Sequence, residues 1–286
     1  MLNIYEQSRG MMPPSNDILS RNNVTITGTG EQVLLLAHGF GCNQQMWRFL
    51  LPLLSPNFRI VLFDYVGSGA SDMQAYNKQR YASLDGYALD IIEICEALDL
   101  ENVILCGHSV SSIIGLLATQ KIPQRIRAQI MICPSPCFLN LPPDYLGGFA
   151  KADLQELMDL MDKNYIGWAQ YLAPLVIGDP DAGQYSAELS DSFCSTNPVT
   201  AKNFAKATFF SDYRALLPLN QHPVLLLQSE RDALASLFIG EYMQAHMPQS
   251  ELQVIEAKGH CLHMTHPQPV ADQIHAFLQR LTQTME

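Results

Sequence analysis

Val103-Ile-Leu-Cys-Gly-His-Ser109-Val-Ser-Ser-Ile-Ile114 is the stretch on which the reading of the chain turns. Its first four residues are continuously apolar, as a strand buried on both faces of a parallel sheet requires. From Val110 to Thr119 the apolar residues follow helical spacing. A strand running directly into a helix leaves Ser109 at the apex of a sharp turn. Such a turn strains its apex residue and crowds the positions two before and two after it. Gly107 meets the first demand for a small residue, and Ser111 stands where a second glycine is usual. The string alone means little. Its place between such a strand and such a helix makes Ser109 a candidate nucleophile rather than a helix-capping serine.

Similar apolar runs lie at 33–37, 60–63, 130–133 and 224–227. Residues 24–27 alternate like a half-exposed strand, and 252–255 are a weaker last one. Helical patterns occupy 84–98 and 270–281. Strand and helix therefore alternate, which predicts a mostly parallel sheet flanked by helices on both faces. Residues 136–218 break the rhythm with four helical pieces and no convincing strand. The first carries the stripe Leu154, Leu157, Met158 and Met161. The second, from Tyr165, is apolar nearly all round, the third covers about 185–195, and the fourth starts on Asn197-Pro198. A single crossover between parallel strands takes about 30 residues, so the surplus reads as a four-helix cap. The expected division is a loose extension at 1–17, core at 18–135, cap at 136–218 and core again at 219–286.

A serine hydroxyl needs a base, and the base needs a residue to orient it. In this kind of fold the order along the chain is serine, acid, histidine. His260 follows Gly259 just past the last candidate strand. Asp232 follows the 224–227 strand by enough residues to reach it, and is preferred over Glu230, while Asp212 falls too early, inside the cap. A zinc site from His260, His263 and His266 would need a fourth ligand and a known spacing, so no metal is expected. The oxyanion hole calls for two backbone N–H groups. Val110 supplies one and Phe40, in His38-Gly-Phe-Gly41, the other. Together these features specify an α/β-hydrolase fold with a Ser-His-Asp triad. Gly67-Ser-Gly69 lacks the third glycine of a dinucleotide fingerprint, so no cofactor is expected.

Bulk properties narrow the partners. Of 286 residues, 48% are hydrophobic and 16% charged, enough apolar material for one large core. Seventeen Lys and Arg against 28 Asp and Glu give a net charge of −11, which argues against nucleic acid. No secretory signal or membrane span is expected. Seven scattered cysteines without a C-x-x-C pair suit reduced thiols in the cytoplasm.

His38-Gly-Phe-Gly-Cys42, Leu62-Phe-Asp-Tyr-Val-Gly-Ser-Gly69 and Gly107-His-Ser-Val110 resemble the RsbQ family of α/β hydrolases. So do Pro134-Ser-Pro-Cys-Phe-Leu-Asn140, Gly147-Gly-Phe149, Asn164-Tyr-Ile-Gly-Trp168 and Phe193-Cys-Ser-Thr196. That family holds the bacterial stress regulator and the plant strigolactone and karrikin receptors. The likeness runs from about Ile18 to the C-terminus and includes the cap; Ser111 is similar to what the plant receptors carry. The acid loop, Ser229 to Ser236, lacks the proline that often follows the acid. The resemblance implies a V-shaped cap over an apolar pocket lined by Phe40, Val110, Phe138, Trp168, Leu172 and Phe209. It implies a small hydrophobic ester or lactone as ligand, and a PAS-domain phosphatase as signalling partner. Two functions follow as expectations: a working ester or lactone hydrolase, or a ligand sensor with slow turnover.

Overall fold

The structure, a computed structural model, describes residues 15–283. Its centre is a seven-stranded sheet of β1 (Thr25–Thr27), β2 (Gln32–Ala37), β3 (Phe58–Leu62), β4 (Val103–His108), β5 (Ile126–Ile132), β8 (Val224–Arg231) and β9 (Ser250–Lys258). Across the sheet the order is β1-β3-β2-β4-β5-β8-β9, and only β1 runs antiparallel to its neighbour. The strand expected at 24–27 is therefore an edge strand, and all three of its residues are exposed. Two more strands, β6 (Asn140–Leu141) and β7 (Tyr145–Leu146), pair in a small separate hairpin. They fall where no strand was expected, because two residues are too few to show a period.

The buried strands explain their own composition. Leu34, Leu36, Ile104, Cys106, Leu225 and Leu227 pack on one face, while Leu35, Ala37, Val103, Leu105, Val224 and Leu226 pack on the other. Successive side chains point to opposite faces, so a strand covered on both sides has to be apolar throughout. One face is covered by α3 (Leu84–Ala97), α4 (Val110–Lys121) and α9 (Leu237–His246). The other is covered by α2 (Leu51–Leu54) and α10 (Pro267–Gln283). The sequence reading did not single out α9, whose apolar period is interrupted by Gly240, Glu241 and Gln244.

The first helix, α1 (Ser15–Arg21), takes in residues 15–17 of the expected extension; the rest of that extension lies outside the described residues. It is tied down through Asp90 on α3. This fully buried carboxylate accepts from Asn22, Val66 N, Arg80 and Tyr81, at 2.8–3.2 Å. A charge so deep in the core is tolerated because each of its lone pairs has a donor.

Between β5 and β8 the chain leaves the sheet for four helices: α5 (Lys151–Lys163), α6 (Tyr165–Ile177), α7 (Gly183–Ser195) and α8 (Pro198–Phe209). Their ends are specified locally. Asn164 and Asn197 cap α6 and α8 by accepting from Gly167 N and Val199 N, each at 2.9 Å. Gly178 ends α6 in the left-handed conformation, φ 68°. Buried faces built on Leu154, Met158, Trp168, Leu172, Phe193 and Phe209 turn these helices into the main core cluster.

Candidate active site

The strand order reverses between β2 and β4, and in open α/β sheets the crevice beyond such a reversal is where ligands bind. Phe40 follows β2 there and Ser109 follows β4. Ser109 has φ 55° and ψ −123°, a conformation that L-residues rarely adopt. The turn is held by its neighbours: a Cβ on Gly107 would lie 2.4 Å from the carbonyl oxygen of Ser111. Ser111 itself is fully buried, and its hydroxyl donates to the carbonyl of His38 while Tyr65 OH donates to it at 3.0 Å. A serine is accommodated at this glycine-like position because its one polar atom is fully used.

His260 Nε2 lies 2.7 Å from Ser109 Oγ, and His260 Nδ1 lies 2.7 Å from Asp232 Oδ2. All three side chains are nearly buried. The second oxygen of Asp232 accepts from Leu234 N at 2.8 Å and Ala235 N at 3.1 Å. These two amides fix the acid without the proline that this loop lacks. Burial by itself pushes the Asp232 carboxyl upward, but His260 and the two amides outweigh it and hold the group below the usual carboxylate range. The strand before it is longer than the sequence suggested. β8 continues to Arg231 through an irregularity between Ser229 and Arg231, so Asp232 is the first residue beyond the strand. Glu230 is exposed and beside Arg231, and Asp212 pairs with Arg214.

His260 is also fastened through its backbone. Its N–H donates to the carbonyl of Val176 near the end of α6, at 2.7 Å. Gly259 makes this approach possible, with φ 87° and a missing Cβ that would stand 1.8 Å from the carbonyl oxygen of Ile177.

The loop after β2 is shaped by His38, whose Nδ1 faces Gly39 O at 2.9 Å and whose Nε2 accepts from Tyr65 N at 3.3 Å. Val110, the first residue of α4, sets its N–H at a helix N-terminus, where backbone donors are free of intrahelical partners. Behind Ser109 lies a layer of buried histidines. His108 Nε2 meets His260 O at 2.9 Å, and the His263 ring packs between Trp47 and His108 at 4.7 and 4.3 Å. Burial, then the neighbouring His260, depress His108 to about 3; burial likewise holds His38 and His263 low, so all three are neutral. His266 Nδ1 lies 2.9 Å from Thr265 Oγ1. Among the described residues, the metal-ligating types that do converge are Cys133, Asp232 and His260.

Above Ser109 is an apolar cavity with a free volume of about 40 Å³. Phe40, Phe138, Leu172 and Phe209 line it, together with Leu189 and Phe193 on α7. Val110 and Trp168 do not. Trp168 stands one layer back, edge-on to Phe40 at 6.0 Å and against Phe193 at 5.3 Å. The sequence reading missed Phe193, although it lies in a quoted motif, because helical spacing tells which face is buried and not what that face meets.

Over residues 32–267 the chain matches the α/β hydrolase fold family. The chain belongs to that family. It is 36% identical to a probable esterase of Oryza sativa subsp. japonica over 86% of this chain and 91% of the relative. It is 32% identical to the strigolactone esterase of Arabidopsis thaliana, covering 93% and 99%. Among solved structures, a hydrolase from Oleispira antarctica is 55% identical, with a TM-score of 0.92 over 94% of this chain and 98% of that one. The chain is also 35% identical to a karrikin insensitive 2 receptor of Petunia hybrida, over 87% of this chain and 92% of the relative, so this α/β hydrolase has plant esterases and receptors among its relatives, as its motifs implied. No described helix is long and apolar enough to cross a membrane.

Proposed function

We propose that the protein is a serine esterase that cleaves a small apolar ester or lactone. Ser109 is the nucleophile, His260 the general base and then acid, and Asp232 the residue that orients His260. The unbroken hydrogen-bond line from Ser109 through His260 to Asp232 carries this reading. Ser109 Oγ attacks the substrate carbonyl as its proton passes to His260 Nε2, and Asp232 stabilises the imidazolium so formed. The oxyanion is met by the N–H groups of Phe40 and Val110. His260 returns the proton to the leaving oxygen, and water then releases the acyl group by the same route in reverse. No cofactor enters these steps.

The phenylalanines and leucines around Ser109 support an apolar ligand, and the small cavity supports a small one, as do the relatives named esterases. We take residues 136–218 as the cap that supplies most of that wall. The cytoplasm is the proposed location, consistent with seven cysteines that are all free thiols. Turnover of p-nitrophenyl acetate tests the core claim, together with mass spectrometry of an acyl adduct on Ser109. Undiminished turnover by Ser109→Ala would end it.

A second reading is favoured by one observation, the likeness to a karrikin insensitive 2 receptor. On it, the protein senses its ligand and signals to a partner such as a PAS-domain phosphatase, with hydrolysis slow. Affinity capture with and without a butenolide distinguishes the two; rapid turnover with no ligand-dependent partner leaves the esterase alone.

A further inference from the structure

Cys133 has no part in the proposed reaction, yet it stands against two residues that do. It is the first residue beyond β5, fully buried, and its amide donates to Leu227 O at 2.8 Å. Its φ is 48°. This left-handed region suits glycine, and a cysteine there carries strain that a glycine would not. Its Sγ, a carboxylate oxygen of Asp232 and a ring nitrogen of His260 all lie within 4.8 Å of one another. Thiolate, carboxylate and imidazole are the donors that zinc prefers, and three atoms so spaced can meet one ion at ordinary ligand distances with small side-chain adjustments.

Charge favours the same ligand. The fully buried Cys133 side chain stands beside the Asp232 carboxylate. It leaves the Asp232–His260 hydrogen bond intact. With a divalent cation bound, one thiolate and one carboxylate cancel its charge, and the buried cluster becomes neutral overall.

We propose that Cys133, Asp232 and His260 form an inhibitory site for a thiophilic divalent cation, of which zinc is the type. The inference rests on the triad reading for its effect on turnover, though not for binding. The ion takes Cys133 Sγ, an Asp232 oxygen and His260 Nδ1, the nitrogen that already faces Asp232. The thiol proton is released to solvent. The Nδ1 proton is exchanged for one on Nε2, with no net change on the ring. No bond to carbon changes and nothing is oxidised. Nε2 then carries a proton where it must accept one, so the Ser109 hydroxyl has no base. The site is reached only past buried side chains, which makes inhibition slow to develop.

Two measurements test the site. The first follows p-nitrophenyl acetate turnover after incubation with zinc, for the wild type, Cys133→Gly and Cys133→Ser. Glycine suits the backbone at 133, so its variant keeps the fold and the uninhibited rate. Zinc inactivates the wild type progressively, and a chelator restores it. Loss of the thiolate raises the zinc concentration needed by about 10–100-fold or more, by comparison with the cost of weaker changes around zinc sites. The second titrates cobalt into the protein without substrate. A near-ultraviolet thiolate-to-cobalt band appears in the wild type and is missing from both variants, whether or not Ser109 proves to be the nucleophile. Equal zinc sensitivity in wild type and Cys133→Gly, or no cobalt band in the wild type, overturns the proposal.

Discussion

The backbone N–H of His260 donates to the carbonyl of Val176, so the proposed catalytic base is hydrogen-bonded to the end of α6. Two glycines with positive φ, Gly178 closing α6 and Gly259 preceding His260, pack against each other at this junction. Neither can carry a Cβ without meeting the other chain segment. The position of His260 is thus decided jointly by β9, which delivers it, and by α6, which receives it.

Gly259→Ala is the sharpest test of that junction. The added Cβ would meet the backbone of Ile177, which has no side-chain freedom with which to yield, at a φ that alanine resists. The strain amounts to about 1–3 kcal/mol or more. The expected outcome is a lower melting temperature together with a fall in kcat in the protein that remains folded. A variant with lowered stability and unaltered kcat would show that His260 is held by Ser109 and Asp232 alone.

Ser111 joins the two halves of the proposed oxyanion hole, because its hydroxyl reaches His38 O on one loop from the helix that begins with Val110. Ser111→Ala leaves that carbonyl and Tyr65 OH without their buried partner, a cost of about 1–3 kcal/mol. Loss of alignment is expected to lower kcat about tenfold, equivalent to 1.4 kcal/mol in the barrier, with KM little changed. Steady-state kinetics beside a thermal melt separates this from simple destabilisation, which would leave kcat per folded molecule alone.

Asp232→Asn keeps the shape of the acid but not its charge. The amide can present its NH2 group to His260 Nδ1, favouring the tautomer that cannot take the serine proton. In the serine protease triad the same change lowers kcat about 10⁴-fold, and a loss of that order is expected here. Stopped or steady-state turnover of p-nitrophenyl acetate measures it; a loss below about tenfold would mean that Asp232 does not orient His260.

Acid should unfold the protein earlier than its carboxylates alone imply. His38, His108 and His263 are neutral when folded, with their pKa values depressed and that of His108 near 3. Unfolded, each takes up a proton below about pH 6.5. The unfolded state therefore binds more protons, and stability falls as pH drops from about 6.5. Three such groups give a slope approaching about 4 kcal/mol per pH unit. Asp232, with its pKa below the ordinary value, adds stability that is present above about pH 4 and lost below that. Urea unfolding between pH 8 and pH 5 reads the slope, about 1.4 kcal/mol per pH unit for each proton. His263→Leu should flatten it by up to one proton.

Local patterns were enough for the sheet, and for the residues that come together at Ser109. Continuous apolar runs specify doubly covered strands because such strands have no solvent face, and Gly107 marks the tight turn because no Cβ fits beside Ser111. The order of serine, acid and histidine then limits where the partners can stand. What the sequence could not decide depends on contacts between distant segments. Whether Trp168 or Phe193 faces the cavity is set by how α6 and α7 pack on each other and on Phe40. β8 runs on to Arg231 because β9 is there to pair with it. The neutrality of three histidines, the bond from His260 to Val176 and the approach of Cys133 to the acid are likewise absent from any single window of sequence. Each needs two or more segments far apart in the chain to exclude water from the same place, and only the folded packing does that.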